Sequence, residues 1–398
     1  MTISARIYAS GALAFGGQPA IDDLLSAGYS AVIVWSVHVA SDGTLTLNDT
    51  QIVSKGVYHE AQPMDLPERL AQLRRAGVQI IFSVGAGGVS DYQHIGALLK
   101  KGTGPTSPLY ENFKALKDAM AKAQGGGIDA IDFDNEDDMQ TSIMVGFGNL
   151  LASIGYPSVT FCPYYTSPVW NETYTELLKA HHKGFVSAIH LQCYSGGQGA
   201  SPKPWGEMIA KHEGKTLLVP GLATNQAASG PWWSGGAQGG SVVKSPGVAM
   251  YGGADWSGRL VRRGNYPSAQ AAMQSANSGE NFFFYCNDFM SLGPDKVFQA
   301  GDAAFFSGIP QWGSAPQADG YALSGGCSNI YNRGGACPSD LQTQYATWAK
   351  EPHPPTGGFI WLYDSVVSCL LSGCCGGKEN VPVTTALAYR QAITNGLG

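Results

Sequence analysis

Eight short apolar segments recur along this 398-residue chain, and their recurrence constrains its folding more than any other feature. They read Ala5–Ala9, Ser30–Trp35, Val78–Ser83, Ile128–Phe133, Ser158–Cys162, Ala188–Gln192, Thr216–Val219 and Gly358–Trp361. Each is rich in β-branched or aromatic residues and is bounded by Gly, Ser, Pro or a polar residue, the pattern of a buried strand in a parallel sheet. Helix-like stretches lie between several of them. Leu66, Leu70 and Leu73 stand at i, i+4 and i+7 ahead of the third segment, and Tyr110–Gln124 precedes the fourth. Strand–helix alternation repeated eight times predicts an α/β (β/α)8 TIM barrel; one strand fewer makes a doubly wound sheet competitive. The interval from Asn225 to Pro355 is too long for a plain loop. It predicts a large insertion between strands 7 and 8, so that residues 1–225 and 355–398 form the barrel and 226–354 an inserted subdomain. That insertion carries the apolar run Asn281–Tyr285 and tryptophans at 232, 233, 256 and 313.

The fourth segment holds the chemistry. In Asp129-Ala-Ile-Asp-Phe-Asp-Asn-Glu136 the residues Asp132, Asp134 and Glu136 are spaced by two, which places all three on one face of a strand. Ile131 and Phe133 then face the helices. Glu136 falls at the C-terminal end, where barrel enzymes carry their active sites. Carboxyls crowded in a dry site raise one another's pKa, so a glutamic acid there can stay protonated and donate to a leaving-group oxygen. Asp129 has the opposite parity and reads as structural. A calcium loop fails because Asp137 and Ile143 occupy the positions that need Gly and Glu. A magnesium site at the strand end stays open as an alternative. A solvated acidic loop at Glu136–Asp138 leaves Asp132 and Asp134 unexplained.

Composition narrows the partners. The net charge is −6, and no basic run offers a phosphate-binding surface, which argues against nucleic acid. No stretch approaches the roughly 20 apolar residues of a membrane helix, and the start of the chain is not a classical signal peptide. Eight cysteines, with Cys327 and Cys337 flanking a Gly-rich loop and Cys369, Cys374 and Cys375 clustered, allow disulfides in the C-terminal half and an oxidising compartment. The alternative is that most are free and buried. An extracellular protein, or one exported without a classical signal, is the expectation. No cofactor or metal is expected.

Residues 129–136 resemble the Asp-x-x-Asp-x-Asp-x-Glu signature of family 18 glycoside hydrolases, the chitinases and endo-β-N-acetylglucosaminidases, and match all four positions. Ser83-Val-Gly-Ala-Gly-Gly88 resembles that family's Ser-x-Gly-Gly element with one extra residue, Gln192-Cys-Tyr194 its Gln-x-Tyr-Asn element, and Trp361 the tryptophan under the sugar. The resemblance spans roughly residues 5–225 and 355–395. It implies a retaining glycosidase cleaving β-1,4-linked N-acetylglucosamine polymers, in which the substrate's own acetamide attacks the anomeric carbon. Glu136 would be the acid and base, and Asp134 would orient the acetamide. Asp132 would tune Asp134, Tyr194 would bond the acetamide carbonyl, and Trp361 would stack under the sugar. The chain departs from the family at Asn135, where an aromatic residue is common, and at Ser195, where Asn or Asp is usual. These departures keep a weakly active or inactive carbohydrate-binding homologue in view, alongside an endo-acting enzyme on N-glycans. Trp35 ends the second strand and either lines the pocket or packs in the core. Gln192 and Tyr164 are further candidates for binding substrate. The Trp-rich insertion reads equally as sugar subsites, as a small core, or as a docking surface for a larger assembly. His38, His181 and His182 read as structural or solvated.

Overall fold

The computed structural model of the protein describes residues 3–47, 50–60, 65–137, 139–194, 197, 200–212, 215–224, 246–251, 259–265, 337–372 and 385–398. Asn281–Tyr285, the four insertion tryptophans, Ser195, Cys286, Cys327, Cys374 and Cys375 lie outside the described residues. The chain divides into two compact units. One comprises Met1–Ala223, Pro338–Leu362 and Leu387–Gly398; the other comprises Thr224–Cys337 and Tyr363–Ala386.

The first unit is an α/β structure around a parallel sheet. Its strands are β1 (Ser4–Ala9), β2 (Ala31–Val39), β3 (Leu45–Leu47), β4 (Thr50–Ser54), β5 (Val57–Tyr58), β6 (Gln79–Ala86), β7 (Ala130–Asn135), β8 (Val159–Phe161), β9 (Val186–Ile189), β10 (Leu217–Leu218), β11 (Gly221–Ala223) and, after β12 and β13 of the second unit, β14 (Gly357–Trp361). The hydrogen-bonded order is β10-β9-β8-β7-β6-β2-β1-β14-β11. Strands therefore fall at all eight expected segments, with the seventh split in two. Pro220 has no N–H to donate and stands at the split. This segment bonds on both sides. Val219 N–H donates to Ile189 O (2.9 Å), while Phe359 and Thr356 donate to Pro220 O (3.1 Å) and Leu218 O (2.9 Å).

Helices α1 (Gly11–Phe15), α2 (Gly17–Ala27), α3 (Leu66–Arg75), α4 (Asp91–Lys101), α5 (Pro108–Met120), α6 (Thr141–Ile154), α7 (Pro168–Ala180) and α8 (Lys203–Lys211) alternate with the strands, followed by helices Pro338–Trp348 and Ala386–Leu397. Leu66, Leu70 and Leu73 are buried along α3, as their spacing predicts. α5 and α7 each begin on a proline, whose fixed φ suits the first helical position. The alternation gives no hint of β3–β5, an antiparallel meander that extends β2. Asp42-Gly43 lies in the turn that starts it, and Ala40 N–H donates to Thr44 O across that turn. Within the second unit, β12 (Pro246–Tyr251) pairs with β13 (Arg259–Asn265) antiparallel.

The parity of β7 sets which groups meet. Phe133 stacks on Phe147 of α6 with ring centroids 5.2 Å apart and lies 6.2 Å from Tyr92 of α4. Asp132 and Asp134 alternate to the opposite face, where Tyr8, Trp35, Cys162, Tyr194, Phe359 and Trp361 belong to one buried cluster. Gly85 lets β6 lie tight against this strand. Its φ is +109°, and an added Cβ would stand 2.2 Å from Asp134 O. Gly88 has φ +77° with open space around its missing Cβ. Both alanine variants pay the backbone cost of about 1–3 kcal/mol, but only Gly85→Ala adds a clash with main chain. Thermal denaturation should show the larger loss for Gly85→Ala; equal losses would contradict the close approach.

Candidate active site

Asp132 lies at the centre of the site and is fully buried. Its Oδ2 accepts hydrogen bonds from Tyr8 Oη (2.8 Å) and Ser83 Oγ (2.9 Å). Its Oδ1 accepts from Thr160 Oγ1 (2.5 Å) and is bonded by His190 Nδ1 (2.9 Å). A carboxylate offers about four acceptor positions, so these donors saturate it. Burial would raise its pKa. His190, by its field and its hydrogen bond, together with the hydroxyls of Thr160 and Tyr8, outweighs burial and holds the carboxyl below its usual range.

Asp134 sits two residues further along the strand and is also buried. Trp35 Nε1 donates to its Oδ2 at 2.9 Å, and Gln192 Nε2 donates to its Oδ1 at 3.1 Å. The same amide nitrogen lies 2.9 Å from Glu136 Oε1 and 3.1 Å from the carbonyl of Cys162. Two amide hydrogens are thus shared among three acceptors, and one side chain ties the two carboxyls together. Glu136 itself is part-exposed at the end of β7. A Cβ at Gly87 would stand 2.7 Å from its Oε2, so glycine leaves room for the carboxyl.

The electrostatics of the three carboxyls diverge. Asp134 has its pKa raised well above the ordinary aspartate value by burial first, then by the charges of Glu136 and Asp132; hydrogen bonds from Trp35 and Cys162 oppose this only in part. The pKa of Glu136 is raised by burial, with Asp137 adding to the rise and the Gln192 hydrogen bond opposing it. Two adjacent carboxyls shifted toward their protonated forms stand beside one shifted toward its ionised form, an arrangement able to donate and recover a proton at Glu136.

Aromatic residues wall the same place. Tyr194 stacks on Trp361 with centroids 5.7 Å apart and planes 22° from parallel, and Trp35 meets Trp361 edge-on at 4.8 Å. The peptide bonds after both tryptophans are cis. Trp35 both packs in the core and bonds Asp134. Tyr164 stands further out, half-buried; burial, Tyr165 and Glu136 raise its pKa, in that order. The structure brings together Asp132, Asp134, Glu136, Gln192, Trp35, Tyr194 and Trp361, with Tyr164 at the margin.

Five participants escaped the sequence reading as site residues: Arg6, Tyr8, Thr160, Cys162 and His190. Strand parity was the signal that could have found them, because Arg6 and Tyr8, Thr160 and Cys162, and His190 and Gln192 each alternate onto one face. Asp129, off that face, instead bonds Arg74 (3.0 Å) and the Ile80 N–H (2.8 Å). His38 joins Ser36 Oγ (2.9 Å) to Asp91 (2.8 Å), while His181 and His182 stand at the surface end of α7. Cys162 and Cys193 are free and buried, and Cys337 is disulfide-bonded. Among the described residues no group of three or more His, Cys, Asp or Glu has metal-holding geometry, and no helix is long and apolar enough to cross a membrane.

No protein-family model matches the chain, and neither does any curated protein. Among solved structures, it is similar to a chitinase from Aspergillus fumigatus, at 18% identity over 56% of this chain and 79% of that one, with a TM-score of 0.41. It is also similar to a chitinase from Rhizomucor miehei, at 12% identity over 98% and 99% of the two chains, TM-score 0.43. A chitinase from Chromobacterium violaceum gives 11% identity over 100% and 99%, TM-score 0.43. With TM-scores below 0.5, what this site can do rests on its own atoms.

Proposed function

We propose that this protein is a glycosidase that hydrolyses β-1,4-linked N-acetylglucosamine polymers, with Glu136 as the proton donor. The observation that carries the reading is the Gln192 amide bonded to both Asp134 and Glu136 beside an aromatic wall. Gln192 bonds Oε1 of Glu136, so Oε2 would carry the acidic proton to the glycosidic oxygen. Asp134 would orient the acetamide, whose carbonyl oxygen attacks the anomeric carbon as the leaving group departs. Glu136 would then take a proton from water as that water opens the oxazolinium ion. Tyr194 and Trp361 would hold the acetamide and the sugar face, and Trp35 and Tyr164 would extend the binding surface. The N-acetylated substrate class comes from the resemblance of residues 129–136 to the family 18 signature.

The hydrogen bonds on both sides of Leu217–Ala223 support a closed eight-stranded barrel around this site. The unit that begins at Thr224 supports an insertion after the seventh strand, and the bridged Cys337 supports an oxidising, extracellular compartment.

Two measurements test the reading. Purified protein should cleave chito-oligosaccharides. Cleavage of a high-mannose glycopeptide alone would favour the endo-acting alternative, and binding without cleavage of either would favour a carbohydrate-binding protein. The pH profile follows from Glu136, which must be protonated to act. Its pKa is raised, so activity should persist above the ordinary glutamate range and fall as pH passes its folded-state pKa. That alkaline limb should vanish for substrates whose leaving group needs no proton; a limb that survives would assign the titration to another group.

A further inference from the structure

Beneath the site runs a buried chain of groups that the proposed chemistry does not use. Arg6 of β1 is 2% exposed; its Nε donates to Ser4 Oγ at 3.0 Å, and its Nη1 lies 2.9 Å from His190 Nε2. His190, 0% exposed, turns its Nδ1 to Asp132 Oδ1. A guanidinium has only donors. Nε2 of His190 must therefore accept, the ring is neutral, its one proton sits on Nδ1 and points at Asp132, and its field at that carboxylate is that of the N–H dipole rather than of a net charge.

We infer that Arg6 and His190 are positioning residues that fix the histidine tautomer, keep Asp132 a permanent anion, and so confine the exchangeable protons of the site to Asp134 and Glu136. The four donors around Asp132 leave no acceptor position at which it could receive a proton. Every group that faces it agrees with this: Tyr8 and Arg6 on β1, Ser83 on β6, Thr160 on β8 and Cys162 just after it, His190 after β9, Asp134 on its own strand, and Tyr92 of α4 behind. Tyr8, Tyr92 and Cys162 are pushed up by burial and by the neighbouring carboxylates, so they stay protonated. His190 is lowered by burial, with Arg6 assisting and Asp132 opposing, and Arg6 is lowered by burial only to about 10, so it remains charged at neutral pH.

The inference uses the proposed role of Glu136 only for its activity arm. The test is nitrogen-15 NMR of the histidine rings. The His190 signal is assigned by its loss in His190→Gln or, should that variant not fold, by backbone assignment. The expected spectrum shows a protonated Nδ1 and a bare Nε2, unchanged from about pH 5 to 8, the range in which an ordinary histidine titrates. An imidazolium, a proton on Nε2, or a titration inside that range would overturn the inference. Arg6→Met should release the lock. His190 then titrates, and kcat/KM gains an ionisation absent from wild type, whereas Arg6→Lys, still a pure donor, keeps the wild-type profile. If the wild-type spectrum is as expected but no glycan is cleaved, the lock stands and the glycosidase reading falls. Should Arg6→Met not fold, the wild-type spectrum and Arg6→Lys still decide.

Discussion

Glu136→Gln should lower kcat on a chito-oligosaccharide by about 10²–10⁴-fold while leaving oligosaccharide affinity nearly unchanged. The amide keeps the volume of the acid, and its oxygen can still accept from Gln192, whose nitrogen lies 2.9 Å from Oε1. It has no acidic proton to give a leaving group and cannot take one from water. Loss should therefore appear in kcat, with binding by calorimetry as the companion measurement. A substrate whose leaving group departs unaided should regain the first step but not the second, which needs Glu136 as base. The fold should tolerate the change, because Glu136 is part-exposed at the strand end and burial already disfavours its charge. A variant that kept full turnover would remove Glu136 from the chemistry, whatever the site's geometry suggests.

Asp132→Ala should give the opposite pattern, a loss of stability of about 3–5 kcal/mol, the usual cost of removing one partner from a buried charged network. Ser83, Thr160 and His190 would lose their acceptor in a place water does not reach, and Tyr8 would keep only Cys162 Sγ. For a unit of this size, that should lower the denaturation midpoint by on the order of 10 °C. The pH dependence has a definite sign. Asp132 has its folded-state pKa lowered, so its contribution is present above the unfolded value and is lost as pH falls through the folded one. The gap between wild type and variant should accordingly narrow in acid. A gap that widened in acid would mean that Asp132 is not held as an anion.

These two residues also show how far the sequence alone carried. Spacing by two was enough to put Asp132, Asp134 and Glu136 on one face and Phe133 on the other, because side-chain direction in a strand is a local property. Their different fates were not local. Asp132 is an anchor because its donors arrive on β1, β6, β8 and just past β9, from residues up to 124 positions away, such as Tyr8. Single Tyr, Thr and His residues in apolar segments leave no local pattern by which their partners could be named. Gly85 and Gly87 were visible as a Gly-rich element, yet their reasons, the Asp134 carbonyl and the Glu136 carboxyl, appear only once β6 and β7 are paired. The meander β3–β5 was missed because strand–helix alternation is blind to antiparallel additions.

The proposed reaction needs both an acid at Glu136 and the substrate's own acetamide. Its most direct test compares hydrolysis of a chito-oligosaccharide with that of its fully N-deacetylated counterpart under identical conditions. The N-acetylated chain should be cleaved, with β-anomeric product formed first, and the deacetylated one should show no measurable cleavage. Equal cleavage of both would show that the acetamide is not the nucleophile.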